Sequence, residues 1–216
     1  MIDHTNLRPE ATREQIIRLC DEARDFSFGS VMVNAGYVKL ACTKLKRSEV
    51  MVGAVIGFPL GSTLTSVKEY EAKEALRMGA TEIDMVMNIG ALKSGDHKLV
   101  LADIRRVVLV VHRKKAVLKV ILETGLLSED EKITACKLAV KAGADFVKTS
   151  TGFLGGGATV EDVALMRRTV GLKIGVKASG GIRSAEDARR MIDAGANRLG
   201  TSSGVAIVRD WEAQSS

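Results

Sequence analysis

Ala72-Lys73-Glu74-Ala75-Leu76-Arg77-Met78-Gly79-Ala80 runs straight into Thr81-Glu82-Ile83-Asp84-Met85-Val86. The first stretch spaces its apolar residues as one face of a helix, and the second is a short aliphatic strand. The glycine between them best tolerates the left-handed conformation that closes a helix. The same unit recurs where Ala139-Val140-Lys141-Ala142-Gly143-Ala144 meets Asp145-Phe146-Val147-Lys148. It recurs again where Ala188-Arg189-Arg190-Met191-Ile192-Asp193-Ala194-Gly195-Ala196 meets Asn197-Arg198-Leu199-Gly200.

Working outward from these units, strands are expected at Ile2–Thr5, Ser30–Asn34, Met51–Gly57, Glu82–Asn88, Val117–Glu123, Phe146–Ser150, Ile174–Ala178 and Arg198–Thr201. Helical patterns fill the intervals, among them Thr12–Asp25, Ser66–Met78 and Ser128–Ala142. Ser128 with Glu131 and Ser184 with Asp187 have the spacing of capping boxes. Alternation of strand and helix implies parallel strands joined by right-handed crossovers. Eight such strands point to a compact (β/α)8 TIM barrel, with residues 1–216 as a single domain. A doubly wound open sheet is the competing architecture, but no GxGxxG follows the first strand.

The 216 residues are 46% hydrophobic and 27% charged, enough to bury a core without a disulfide or metal staple. The aliphatic run Val107–Val111 is flanked by Arg105, Arg106 and His112, far short of a membrane span. No signal pattern opens the chain, and Cys20, Cys42 and Cys136 form no CxxC. They read as reduced structural thiols, and the location as cytoplasmic. A net charge of +6 raises nucleic acid as a partner. The charges are interspersed, as in Arg13-Glu14 and Lys68-Glu69, and aromatics at 4% are too few for base stacking. A field favouring small phosphorylated substrates fits better. His4, His97 and His112 lack ligand spacing, so no metal is expected.

Buried parallel strands should be almost continuously aliphatic. Here Asp84, Lys119, Glu123, Lys148 and Lys177 interrupt them, each read as late in its strand. Strand periodicity places Lys119 and Glu123 on one face, and Lys177 and Ser179 on one face, with the other faces aliphatic. The charges therefore point into the barrel, toward the C-terminal strand ends where such barrels carry their active sites. Two ammonium groups about 6 Å apart repel by roughly 3 kcal/mol at an effective dielectric near 20. That repulsion alone would lower one lysine by about two pKa units, and burial pushes the same way. An uncharged lysine attacks carbonyls, and a nearby carboxylate can shuttle protons. This is the chemistry of a Schiff-base aldolase. For anions, Gly180-Gly181 and Gly200-Thr201-Ser202-Ser203-Gly204 follow the seventh and eighth strands, where barrels commonly hold phosphate. The phosphate loops alone fit a sugar-phosphate isomerase or another Schiff-base aldolase equally well, and the basic charge keeps a non-catalytic binder of sugar phosphates or nucleic acid as a further reading.

Longer segments narrow the choice. Ile2-Asp3-His4-Thr5, Gly57-Phe58-Pro59-Leu60-Gly61, Lys148-Thr149-Ser150-Thr151-Gly152-Phe153 and Val176-Lys177-Ala178-Ser179-Gly180-Gly181-Ile182-Arg183 resemble deoxyribose-phosphate aldolases, in order and over nearly the whole chain. The resemblance implies a cofactor-free class I lyase. It would interconvert 2-deoxy-D-ribose 5-phosphate with D-glyceraldehyde 3-phosphate and acetaldehyde, as a homodimer or homotetramer. By matching motifs, Lys148 would form the Schiff base, Lys177 would be the second lysine and Asp84 the proton relay. Lys119 and Asp3 would join the same polar network. Gly152, Gly180, Gly181, Ser202 and Ser203 would hold the phosphate. The chain departs from its relatives in three places. Relatives usually carry a short helix before the first strand, expected here to be absent or shortened unless the native start lies upstream; Met32 and Ala35 stand where Cys and Pro are common; and the tail 211–216 lacks a tyrosine found in some relatives.

Overall fold

Each strand begins where a helix has just been stopped, and the eight strands close on themselves. In chain order the elements are β1 (Ile2–Asn6), α1 (Arg13–Asp25), β2 (Ser30–Val33), α2 (Val38–Lys44), β3 (Met51–Ile56), α3 (Thr65–Arg77), β4 (Glu82–Val86), α4 (Ile89–Lys93), α5 (His97–Arg113), β5 (Val117–Ile121), α6 (Glu129–Ala142), β6 (Phe146–Lys148), α7 (Val160–Val170), β7 (Gly175–Ser179), α8 (Ala185–Asp193), β8 (Arg198–Thr201) and α9 (Gly204–Ser215). The computed structural model describes residues 1–215. Ser216, the last residue of the expected domain and of its tail, lies outside the described residues. Neighbouring strands pair in parallel from β1 to β8, and β8 returns to β1 with Ile2 opposite Leu199. The architecture is a (β/α)8 TIM barrel, with β1 as the first element.

The helix stops act as their residues require. Gly79, Gly143 and Gly195 take φ of 110°, 97° and 108°. Both expected capping boxes form, and Thr12 with Gln15 makes a third. Several strands are shorter than the sequence suggests. β3 stops at Ile56 because Gly57 turns the chain at φ 57°, and β6 pairs only as far as Lys148. β5 stops at Ile121, and Glu123 sits beyond it with a left-handed φ of 58°.

The main core lies between barrel and helices. Ile83, Met85, Leu118, Val120, Val147 and Val176 face outward from the strands and are buried with Ala72, Ile104, Val107, Val111 and Ala139 of the helix layer. Full burial stabilises each such branched side chain by roughly 1.5–3 kcal/mol, and truncating Leu118 to Ala would cost about 2–5 kcal/mol. Cys20 and Cys136 are buried within this core and Cys42 is half-buried, all three as free thiols. Burial pushes Cys20 up to about 11 and Cys136 to about 12, so they stay protonated. Among the described residues no helix is long and apolar enough to cross a membrane. Lys68, cited above only as one of the interspersed charges, is fully buried on α3 and pairs with Asp103 of α5 at 2.6 Å. Its helix face is set by tertiary packing, which the local charge pattern does not report.

Candidate active site

Because side chains alternate along a strand, the residues facing the barrel axis are Asp3 on β1, Glu82 and Asp84 on β4, Lys119 on β5, Lys148 on β6, Lys177 on β7 and Arg198 on β8. Strand register then sets neighbours: Asp84 beside Lys119, Lys148 beside Lys177, and Lys177 beside Arg198. The result is one connected ion network. Lys148 and Lys177 each donate to the same Asp84 oxygen, Oδ2, at 2.8 Å. Lys119 reaches Asp84 Oδ1 at 3.1 Å and Glu82 at 2.6 Å. Asp3 pairs with Lys177 at 2.6 Å, and Arg198 donates to both Asp3 and Glu82. All five expected catalytic residues thus come together.

Glu82 and Arg198 complete the network and were not anticipated. The signal for Glu82 was present, since it stands two residues before Asp84 and shares its face. Arg198 opens a strand, where a charge reads as ordinary. Two expectations need correction. Only Lys148 ends its strand, whereas Asp84, Lys119 and Lys177 are each third of five. Glu123 does not share a strand face with Lys119. The left-handed turn beyond β5 carries it away from the lysines, and its carboxylate accepts the Thr151 backbone N–H at 3.0 Å.

Counting charges explains the electrostatics. Three carboxylates (Asp3, Glu82, Asp84) face four basic groups (Lys119, Lys148, Lys177, Arg198). The network is neutral when one basic group gives up its proton. Burial would raise Asp84, but Lys119, Lys148 and Lys177 outweigh it and hold the carboxyl well below the usual range. Burial would likewise raise Asp3, and Lys177, Lys119 and Arg198 outweigh it. Burial opposes the charge on Lys119, yet Asp84, Asp3 and Glu82 hold its pKa above the ordinary lysine value. Lys148 goes the other way, down to about 8. Burial is the largest cause; Asp84 opposes it, and repulsion from Lys177 and then Lys119 assists it. Repulsion between lysines, expected to be sufficient by itself, is thus secondary to desolvation.

A cavity of about 690 Å³ opens above the network, lined from the ends of β1, β6, β7 and β8 and from α1. Lys148 lines it; Asp3, Asp84, Lys119 and Lys177 lie beneath and do not. Across the mouth, Phe58 after β3 meets Phe153 after β6 edge-on, with ring centroids 5.2 Å apart. Met32 is buried in the interior against Leu7 and Val55 and lies over Gly53, where an added Cβ would come within 2.2 Å of its sulfur.

Gly152, Gly180, Gly181, Ser202 and Ser203 all line this cavity. Gly180 and Gly181 take φ of 91° and 82°, and an added Cβ on Gly180 would lie 2.9 Å from the Gly157 backbone. The Ser203 amide is already donated to Thr201 Oγ1 at 2.9 Å, which leaves Ser203 its hydroxyl for a ligand. Among the described residues the amides of Gly152, Gly181 and Ser202 have no internal acceptor. With the N-terminus of α9 at Gly204, they form a cradle for a small anion. Arg183 and, farther out, Arg8 and Arg18 add positive charge to the cavity wall. The histidines stay apart: His4 pairs with Glu22 at 2.7 Å and His112 with Asp145 at 2.9 Å.

Residues 1–212 match the family model described as DeoC/LacD family aldolase. The chain is 63% identical over 209 residues to the deoxyribose-phosphate aldolase of Thermococcus gammatolerans, covering 96% of this chain and 93% of that one. It is 58% identical to the deoxyribose-phosphate aldolase of Halalkalibacterium halodurans, covering all of this chain and 96% of the other. Among solved structures, the tetrameric deoxyribose phosphate aldolase from Aeropyrum pernix superposes with a TM-score of 0.92 at 36% identity. That match covers 99% of this chain and 90% of that one.

Proposed function

Since this chain belongs to the DeoC/LacD family of aldolases, we propose that Lys148 is the amine that captures an aldehyde and that the ion network beneath it handles protons. The reaction is that of a carbon–carbon lyase. It reversibly cleaves 2-deoxy-D-ribose 5-phosphate to D-glyceraldehyde 3-phosphate and acetaldehyde. One observation carries the assignment: Lys148 alone of the buried lysines lines the cavity, and its pKa of about 8 supplies free amine near neutrality.

In the cleavage direction, the Lys148 amine adds to the C1 aldehyde, and loss of water leaves a protonated imine. The C3 hydroxyl gives up its proton, the C2–C3 bond breaks, and its electron pair enters the imine to form an enamine. Glyceraldehyde 3-phosphate departs. Protonation at C2 and hydrolysis then release acetaldehyde and restore the amine. Asp84 lies 2.8 Å from Lys148 Nζ and serves as the relay, acting on substrate through water. Lys177, sharing that carboxylate oxygen, helps keep Lys148 deprotonated. Lys119 and Asp3 hold Asp84 and Lys177 in place. The cradle at Gly152, Gly180, Gly181, Ser202 and Ser203 takes the phosphate, fixing the distance from phosphate to C1. These steps need no cofactor.

Borohydride reduction in the presence of acetaldehyde is the test. Intact mass and peptide mapping are expected to find one ethyl group, on Lys148. Labelling that persists in Lys148→Ala refutes the assignment. A homodimer or homotetramer is proposed as the working form, in keeping with the tetramer described for the Aeropyrum pernix relative. Light scattering in solution checks it.

A further inference from the structure

Glu123 is a buried carboxylate that the reaction leaves unused. It belongs neither to the ion network nor to the cavity lining. Its backbone holds φ 58°, unfavourable for a residue with a side chain and typical of positions that the surrounding structure dictates. One oxygen, Oε2, accepts the Thr151 amide at 3.0 Å, and the other has no hydrogen-bond partner among the described residues.

The strands flanking the Schiff-base lysine explain the arrangement. Beyond Lys148 the chain runs Thr149, Ser150, Thr151, Gly152 toward the anion cradle. On one side it is clamped by β7: the Ser179 amide donates to Thr149 Oγ1 at 3.0 Å, and Ser179 Oγ donates to the Ser150 carbonyl at 2.6 Å. On the other side Leu122 N donates to Lys148 O and Thr124 N to Thr149 O. The β7 bonds reach no farther than Ser150, and Glu123 is the group that reaches Thr151. Thr151 Oγ1 in turn accepts the Phe153 amide at 3.1 Å. The amides on both sides of Gly152 are thus occupied, and the Gly152 N–H is left for a ligand in the cavity.

We infer that Glu123 is a positioning residue for phosphate recognition: it pins Thr151 so that the neighbouring Gly152 amide is presented to the substrate's phosphate. The inference rests on the proposed phosphate site at Gly152. It predicts a loss of discrimination and not a general loss of activity, because a preorganised donor matters only to a substrate that uses it.

The test compares kcat/KM for 2-deoxy-D-ribose 5-phosphate with that for unphosphorylated 2-deoxy-D-ribose in wild type, Glu123→Ala and Glu123→Gln. In Glu123→Ala the preference for the phosphorylated sugar is expected to fall about tenfold, mainly through KM, the size of a lost charge-assisted hydrogen bond. Glu123→Gln keeps an acceptor oxygen and should recover most of the preference. Equal losses on both sugars, or an unchanged preference, would overturn the role. A wild type with no preference would instead defeat the phosphate site itself. Amide hydrogen exchange on the wild-type protein needs no variant. Without ligand, Thr151 should be protected and Gly152 fast; with inorganic phosphate, Gly152 should slow. A fast Thr151 amide overturns the proposal even if Glu123→Ala does not fold.

Discussion

Two parts of the molecule bury lysines, and they differ in what surrounds the charge. In the helix layer Lys68 and Asp103 form a closed pair at 2.6 Å, sealed from solvent. In the barrel, four basic groups share three carboxylates, and one of the lysines opens onto a cavity. Burial lowers the pKa of Lys68 against the pull of Asp103, and burial lowers that of Lys148 against the pull of Asp84. A depressed lysine is therefore not in itself a sign of catalysis. The distinction lies in charge balance and access. The helix pair balances with both groups charged, whereas the barrel network, with four basic groups and three carboxylates, balances when Lys148 is uncharged. Lys148, its pKa lowered to about 8, is thus partly uncharged near neutrality and lies against the cavity.

The sharpest way to break this contrast is Lys148→Ala. Turnover should fall on the order of 10⁴-fold or more in a retro-aldol assay. Thermal denaturation should show little loss, because three basic groups then match three carboxylates. Large destabilisation with activity retained would make the two regions equivalent.

Asp103→Ala tests the other side. It strands a buried ammonium and should cost about 3–5 kcal/mol in urea denaturation, with kcat of the folded protein little altered. Replacing both partners, Lys68→Met with Asp103→Leu, should recover most of that stability.

Lys177→Leu asks how much repulsion adds to desolvation at Lys148. The Lys148 pKa should rise above about 8, and kcat/KM at pH 7 should drop about tenfold for each unit of rise. An unmoved pH–rate profile would mean that burial alone governs the amine.

The smallest effect is the pH dependence of the wild type. With Lys148 titrating near 8, kcat/KM should climb about tenfold between pH 7 and 9. Stability should also rise between about 8 and the usual lysine value of 10.5. In that window the unfolded chain holds a proton that the native chain has released. On the acid side, Asp3 and Asp84 have native pKa values below the usual 3.8. Their stabilisation is complete above that value and is lost as the pH falls through the native pKa. Denaturation midpoints measured across pH check both signs.

Strand and helix identity, the helix stops at Gly79, Gly143 and Gly195, and the inward direction of Asp84, Lys119, Lys148 and Lys177 were legible from the chain. They depend on backbone preference and on a two-residue period, both local properties. The glycine and serine pairs after the seventh and eighth strands were legible too, and the fold brings them to the wall of one cavity. The place of Glu82 and Arg198 in the network, the burial of Lys68 and the turn that removes Glu123 from the lysines were not. Each is set by how far neighbouring strands are staggered or by which helix packs against which, distances that close only when the barrel does. The sequence by itself determined that Asp84, Lys119, Lys148 and Lys177 would face the barrel interior. The tertiary structure alone decided which of them share an oxygen and which single amine faces the cavity, because Coulomb energies and desolvation depend on separations between residues far apart in the chain.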